Sequence, residues 1–227
     1  MAQGKLIVLE GTDGSGKGTQ LELLIKELTN RNLQYEIMDF PRYSGSVFGE
    51  LAGRMLKGEF GSPDMLSSEL AVLPFACDRW LIKEKLLKWL SEGKLVISNR
   101  YTASSAVYQA AKLPMAQQKP FIDWVYTLEQ QTIGLPKEDI VLFFHMPLTI
   151  AEKLIEQKDP RAYLGGKKKD IYEEDDAIQI TVNRLYHELA ESNSAWHTIA
   201  CSQESQLRTK ETIQKDILDV LMRSEIL

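Results

Sequence analysis

One short segment near the start, Gly11-Thr-Asp-Gly-Ser-Gly-Lys-Gly-Thr19, constrains this chain more than any other stretch. It follows an apolar run, Lys5 to Glu10, that reads as a buried strand. It precedes Leu21, Leu24, Ile25 and Leu28, whose three- and four-residue spacing gives a helix with one apolar face. A glycine-rich turn between a strand and a helix lets successive backbone N–H groups converge on an anion. The helix N-terminus adds partial positive charge, and a lysine at the end of the turn reaches terminal phosphates. The spacing therefore predicts a phosphate-binding loop formed by Gly11, Gly14, Ser15, Gly16, Lys17, Gly18 and Thr19, suited to a nucleoside triphosphate. Gly18 stands where such loops usually carry the Ser or Thr that holds Mg²⁺, which leaves Thr19 as the candidate hydroxyl.

The rest of the chain repeats the same two textures. Dense apolar runs at 34–39, 94–99, 139–145 and 196–200 read as further buried strands. Ile178, Val182, Leu185 and Leu189, then Ile213, Ile217, Val220 and Leu221, form one-sided helical stripes. Strands alternating with helices imply right-handed crossovers and an α/β architecture of three layers, with a five-stranded parallel sheet between helices. Ligands of such sheets bind beyond the carboxyl ends of the strands, here the segments after Glu10, Asp39, Asn99 and His145. The 227 residues, 44% apolar and 26% charged, suffice for one domain spanning 1–227 and argue against a disordered chain. A formal charge of −5 has the wrong sign for a non-specific nucleic-acid partner. Two distant cysteines, Cys77 and Cys201, suit a reducing, cytoplasmic setting, and no run of about 18 apolar residues suggests a membrane span.

Three clusters fall where the sheet rule places a second ligand. They are Phe40-Pro41-Arg42-Tyr43, Phe75-Ala-Cys-Asp-Arg79-Trp80, and Asn99-Arg100-Tyr101 with Ser104 and Tyr108-Gln109. Each joins an arginine, which grips a phosphate bidentately, to an aromatic ring, which stacks on a base; the set suits a nucleoside monophosphate. Phe75 and Arg79, four apart, share one helix face. A fourth segment, 158–170, reads KDPRAYLGGKKKD and sets Lys158, Arg161, Lys167, Lys168 and Lys169 against Asp159 and Asp170. Its Pro160 and Gly165-Gly166 predict a mobile, basic connection. The chain contains no Asn-Lys-x-Asp guanine-reading motif. The stretch after Ala200, Cys201-Ser-Gln-Glu, follows a strand end and is the candidate for the adenine side.

By the order and spacing of these motifs the chain resembles, over nearly its whole length, the thymidylate kinase family of P-loop nucleoside monophosphate kinases. The resemblance implies ATP- and Mg²⁺-dependent phosphoryl transfer to thymidine monophosphate (dTMP). On that basis Asp13 resembles the contact to the deoxyribose 3′-hydroxyl, Phe75 the ring stacked on thymine and Arg79 the arginine at the thymine edge. Arg100 resembles the arginine on the acceptor phosphate, Ser104 and Gln109 resemble pyrimidine contacts, and Tyr101 and Tyr108 resemble pocket walls. Phe40, Arg42 and Asn99 complete the implied acceptor set. Segment 158–170 falls where the family has its lid, followed by Asp170-Ile-Tyr-Glu173 where many bacterial members have Asp-Arg-x-Glu. Gly14 and Ser15 stand where some members carry an arginine. Members lacking it draw the catalytic cation from the lid, so Lys17, Arg100 and Arg161 are the implied catalytic residues.

Asn99 replaces a common Asp, His145 and Met146 follow the fourth strand where Asp is frequent, and Arg42 comes one place early. The family is commonly dimeric, and the apolar content of 64–92 and 121–133 offers a homodimer surface. Two other readings stay open at this point: a kinase for another monophosphate or a deoxynucleoside, and a catalytically weakened nucleotide-binding regulatory protein.

Overall fold

In the computed structural model, which describes residues 3–157, 164, 166 and 169–227, the most apolar run becomes the middle of the sheet. Strand β1 (Lys5–Glu10) is buried at every position but its first. It pairs in parallel with β3 (Leu95–Asn99) on one side and β4 (Ile140–His145) on the other, and β2 (Tyr35–Asp39) and β5 (Trp196–Ala200) complete the order β2-β3-β1-β4-β5. Three strands start one residue later than the apolar runs suggest. Lys94 and Asp139 are polar groups at the strand entries, engaged by Glu36 and Lys5 respectively, and β2 likewise begins after Gln34.

Alternation along β1 splits the core in two, since successive side chains of a strand point to opposite faces. Leu6 and Val8 face a cluster fed by α2 (Val47–Leu56), α3 (Ser68–Trp80), α4 (Lys83–Ser91), α5 (Thr102–Ala110), α6 (Met115–Tyr126) and α8 (Asp176–Ser192). Ile7 and Leu9 face another fed by α1 (Lys17–Asn30), α7 (Leu148–Glu156) and α9 (Lys210–Arg223). The result is the three-layer α/β arrangement expected from the sequence.

Two local features differ from the sequence pattern. The apolar stretch 64–92 is not one helix but a 3-10 turn (Pro63–Met65) followed by α3 and α4. These part at Leu81 and Ile82, whose amides bond back to Cys77 and Arg79. The stretch after Ala200 forms a two-stranded hairpin, β6 (Ser202–Gln203) with β7 (Gln206–Leu207). Glu204 and Ser205 turn it at φ of 49° and 61°, a conformation that Asn or Gly usually announces. No helix among the described residues is long and apolar enough to cross a membrane.

Candidate active site

The phosphate loop leaves β1 at Gly11 and enters α1 at Gly16, the N-cap residue, in left-handed conformation. Among the described residues no side chain caps α1, and no acid sits in its first turn, so the amides that open the helix keep the hydrogen-bonding capacity and partial charge that attract an anion. Lys17 folds back over the loop, donating to the carbonyls of Gly11 and Thr12 at 2.8 Å each and to Ser15 Oγ at 3.3 Å. Gly14 is glycine by necessity. Its φ is +76°, and a Cβ there would lie 2.4 Å from the carbonyl oxygen of Ala151 on α7.

Beside the loop, at the carboxyl ends of β1, β2 and β3, lies a cleft of about 560 Å³. Its floor is charged. Arg100 Nη2 donates to Asp13 at 2.9 Å and Nη1 to Ser104 Oγ at 2.9 Å, while Tyr108 carries its ring under the same guanidinium at 5.6 Å and its hydroxyl 3.3 Å from Asp13. Burial alone would lower the Arg100 pKa, but the Asp13 carboxylate, with Tyr108, Tyr186 and Glu10 behind it, outweighs burial and holds the group well above its usual value. A residue of the phosphate loop is thus ion-paired to an arginine of the neighbouring cleft. Arg100 itself adopts φ +65°, a conformation that costs a non-glycine residue about 1–2 kcal/mol and survives only where neighbours impose it.

The apolar wall combines Phe40, Pro41, Tyr43, Leu56 and Phe75. Arg79, buried one helical turn beyond Phe75, donates through Nε and Nη2 to Glu129 at 2.7 and 2.5 Å and through Nη2 to Ser105 at 2.5 Å. Its Nη1 takes part in none of the hydrogen bonds found among the described residues, and the side chain lines the cleft. Glu129 is fully buried in a π-helical turn, Thr127–Thr132, and also accepts from Thr102 Oγ1 at 2.7 Å. A π turn re-aims one side chain without ending the helix.

Asp13, Phe40, Phe75, Arg79, Arg100, Ser104, Tyr108 and Gln109 from the sequence-derived acceptor set all line the cleft. Three do not. Arg42 turns away and clamps Asp78, with Nε at 3.0 Å from its carboxylate and Nη2 at 2.8 Å from its carbonyl; that clamp holds the 40–43 turn against α3. Tyr101 is buried behind the wall with its hydroxyl on the Pro136 carbonyl. Asn99 donates to Asp39 across paired strands at 2.8 Å, and its own Oδ1 is buried without a hydrogen-bond partner among the described residues. The amide of Gln109, though at the cleft, is engaged by Tyr172 and Lys112. Tyr43, Ser105 and Tyr172 join the cleft unannounced, although Tyr172 lies in the Asp170-to-Glu173 run and Tyr43 in the second cluster. Of the lid cations, Lys158, Arg161, Lys167 and Lys168 lie outside the described residues, and Lys169 lines a small recess beside Asp13 and α7.

His145, at the end of β4, stands 4.3 Å from His187 centroid to centroid, and burial followed by that neighbour lowers its pKa. No group of three or more His, Cys, Asp or Glu suited to a metal occurs among the described residues. The hard oxygen donors at this edge, the exposed Thr19 in the first turn of α1 and Asp39 beside Asn99, fit a Mg²⁺ ion held mainly by phosphates and water.

A family model described as thymidylate kinase matches residues 9–213. The thymidylate kinase of Mycobacterium tuberculosis (strain ATCC 25618 / H37Rv) is 33% identical over 189 residues, spanning 82% of this chain and 85% of that protein. That of Homo sapiens is 29% identical over 220 residues, 95% and 88% respectively. A solved structure of the Candida albicans thymidylate kinase superposes with a TM-score of 0.77 at 24% identity, over 100% of this chain and 94% of that one, and shares the fold.

Proposed function

The chain belongs to the thymidylate kinase family and phosphorylates dTMP, and from that premise we propose how its residues divide the work, with ATP as donor and Mg²⁺ as cofactor. The observation that carries this reading is the Asp13–Arg100 pair, which ties the donor loop to the acceptor cleft at 2.9 Å. The loop amides and Lys17 hold the transferring end of ATP, and Arg100 orients the dTMP phosphate. An oxygen of that phosphate attacks the γ-phosphorus, the bond to the β–γ bridging oxygen breaks, and thymidine diphosphate and ADP result. Mg²⁺, when bound with the nucleotide, neutralises charge on its phosphate oxygens; Thr19 and Asp39 are the residues that would hold it or its waters.

In the cleft Phe75 stacks on thymine, Arg79 donates to its edge through Nη1, Asp13 takes the 3′-hydroxyl, and Tyr108 walls the sugar. The backbone under Gly14 supports the lid assignment. With Ala151 occupying the space a side chain would need, no cation can come from that position of the loop, so the basic segment 158–170 supplies it, Arg161 first. Within one domain, that segment closes over the phosphates and expels water. We further propose a cytoplasmic homodimer, its contact made by the exposed apolar side chains Leu70, Leu73, Trp80 and Leu81 along α3 and its end.

The test is ADP production from ATP and Mg²⁺ across a panel of nucleoside monophosphates. Rapid turnover confined to dTMP is expected. Turnover with a different base in preference would overturn the cleft assignment, and ATP binding without turnover on any of the panel would overturn the division of roles.

A further inference from the structure

Arg100 is held by its neighbours in a backbone conformation it would not choose, and tracing those neighbours leads to a residue the reaction does not touch. Its amide donates to the Leu9 carbonyl at 2.9 Å, and its carbonyl accepts from Ser98 Oγ at 2.6 Å. The next amide, Tyr101 N–H, donates to Glu10 Oε1 at 2.8 Å. Glu10 is the last residue of β1, with no solvent exposure. The same oxygen accepts the Ser104 amide at 3.2 Å, so the carboxylate closes the N-terminus of α5, a helix without a side-chain cap of its own.

The other oxygen matters more for the side chain. Ser104 Oγ donates its single proton to Glu10 Oε2 at 2.5 Å, which leaves the hydroxyl's lone pairs to accept from Arg100 Nη1. Tyr186 Oη, on α8, donates to the same Oε2 at 3.0 Å. One buried carboxylate therefore sets the backbone after Arg100, the orientation of the hydroxyl that holds its guanidinium, and a link to the helix that begins just beyond segment 158–170.

We propose that Glu10 is the positioning residue of Arg100, and that Tyr186 extends this control to α8, so that the acceptor arginine is registered to that helix. The proposal rests on the reading of Arg100 as the acceptor-phosphate arginine. Four donors satisfy the carboxylate, and an amide in its place could accept at one atom while placing donors where Ser104 and Tyr186 also donate.

The experiment is a double-mutant cycle on dTMP affinity, measured calorimetrically without ATP, and on steady-state kinetics. Glu10→Gln is expected to weaken dTMP binding by about 10-fold or more while leaving the KM for ATP within about twofold. Tyr186→Phe, which keeps the ring stacked on Phe143, is expected to weaken it by about 3- to 5-fold. In the Arg100→Ala background both effects should vanish, because a residue that acts only through Arg100 has nothing left to position. Full additivity with Arg100→Ala, or a fall in melting temperature with dTMP affinity intact, would overturn the proposal. Should Glu10→Gln not fold, the Tyr186→Phe and Arg100→Ala pair completes the cycle alone. An Arg100→Ala variant that binds dTMP normally would instead remove the role assigned to Arg100, a result separable from the first.

Discussion

The phosphate loop and the acceptor cleft share one edge of the sheet but are made of different material. The loop is backbone: amides of a short contiguous segment, a helix end, and one lysine that bonds to carbonyls of its own turn. The cleft is side chain, assembled from Asp13 of the loop, the turn after β2, Leu56, α3, Arg100 after β3, α5 and the segment before α8, and each arginine in it is tuned by a carboxylate far away in sequence. A backbone site is encoded where it stands, whereas a side-chain site depends on pairings that only the finished fold creates. Two such pairings, Arg79 with Glu129 and Arg42 with Asp78, have similar chemistry and opposite consequences. The first presents an arginine to the cleft, and the second withdraws one from it.

If the two regions are separable, damage to one should spare the other. Lys17→Ala should cut kcat by about 10³-fold or more, yet leave calorimetric dTMP affinity within about twofold. A comparable loss of dTMP affinity would show that the loop also shapes the cleft. Glu129→Gln should raise the KM for dTMP by about 10-fold with the KM for ATP little changed, because a neutral amide no longer fixes both Nε and Nη2 of Arg79. The opposite pattern in a steady-state assay would mean the arginine serves the donor side.

The smallest effect concerns Glu138, buried between the cleft's support and β4, whose carboxyl burial pushes up to about 7, reinforced by Glu10 and Glu129. The folded state then holds a proton that the unfolded chain releases from about pH 4.5 upward. Stability from this group therefore falls as pH rises toward 7, and the cost is fully present above it. Glu138→Gln should accordingly stabilise the protein by about 1–3 kcal/mol in urea titrations at pH 8 and by little near pH 5. Equal stabilisation at both values would show that the carboxyl is not the source.

The same contrast explains what the amino-acid sequence disclosed. The strands and the loop are local patterns of apolar runs and glycines, and they stand in the structure within a residue of where they read. Phe75 and Arg79 were legible as a pair because a helix puts positions four apart on one face. Glu129 was not, since nothing in Thr127-to-Thr132 marks a π turn, and its partner lies 50 residues away. Arg42 looked like a ligand because an arginine beside aromatics usually does; Asp78, which redirects it, is apparent only once α3 packs against the turn. The hairpin after Cys201 lacked its usual Asn-Gly marker. Lys158, Arg161, Lys167 and Lys168 are read from composition alone.

Strand β1 occupies the centre of the sheet, and its two neighbours are residues 95–99 and 140–145. The carbonyl that lies against Gly14 belongs to residue 151. For a chain emerging from the ribosome this inverts the order of the text. The loop motif is made well before it can be assembled, since its second flanking strand and the backbone beneath it lie at residues 140–151. A nascent or truncated chain would carry the nucleotide-binding motif without the site.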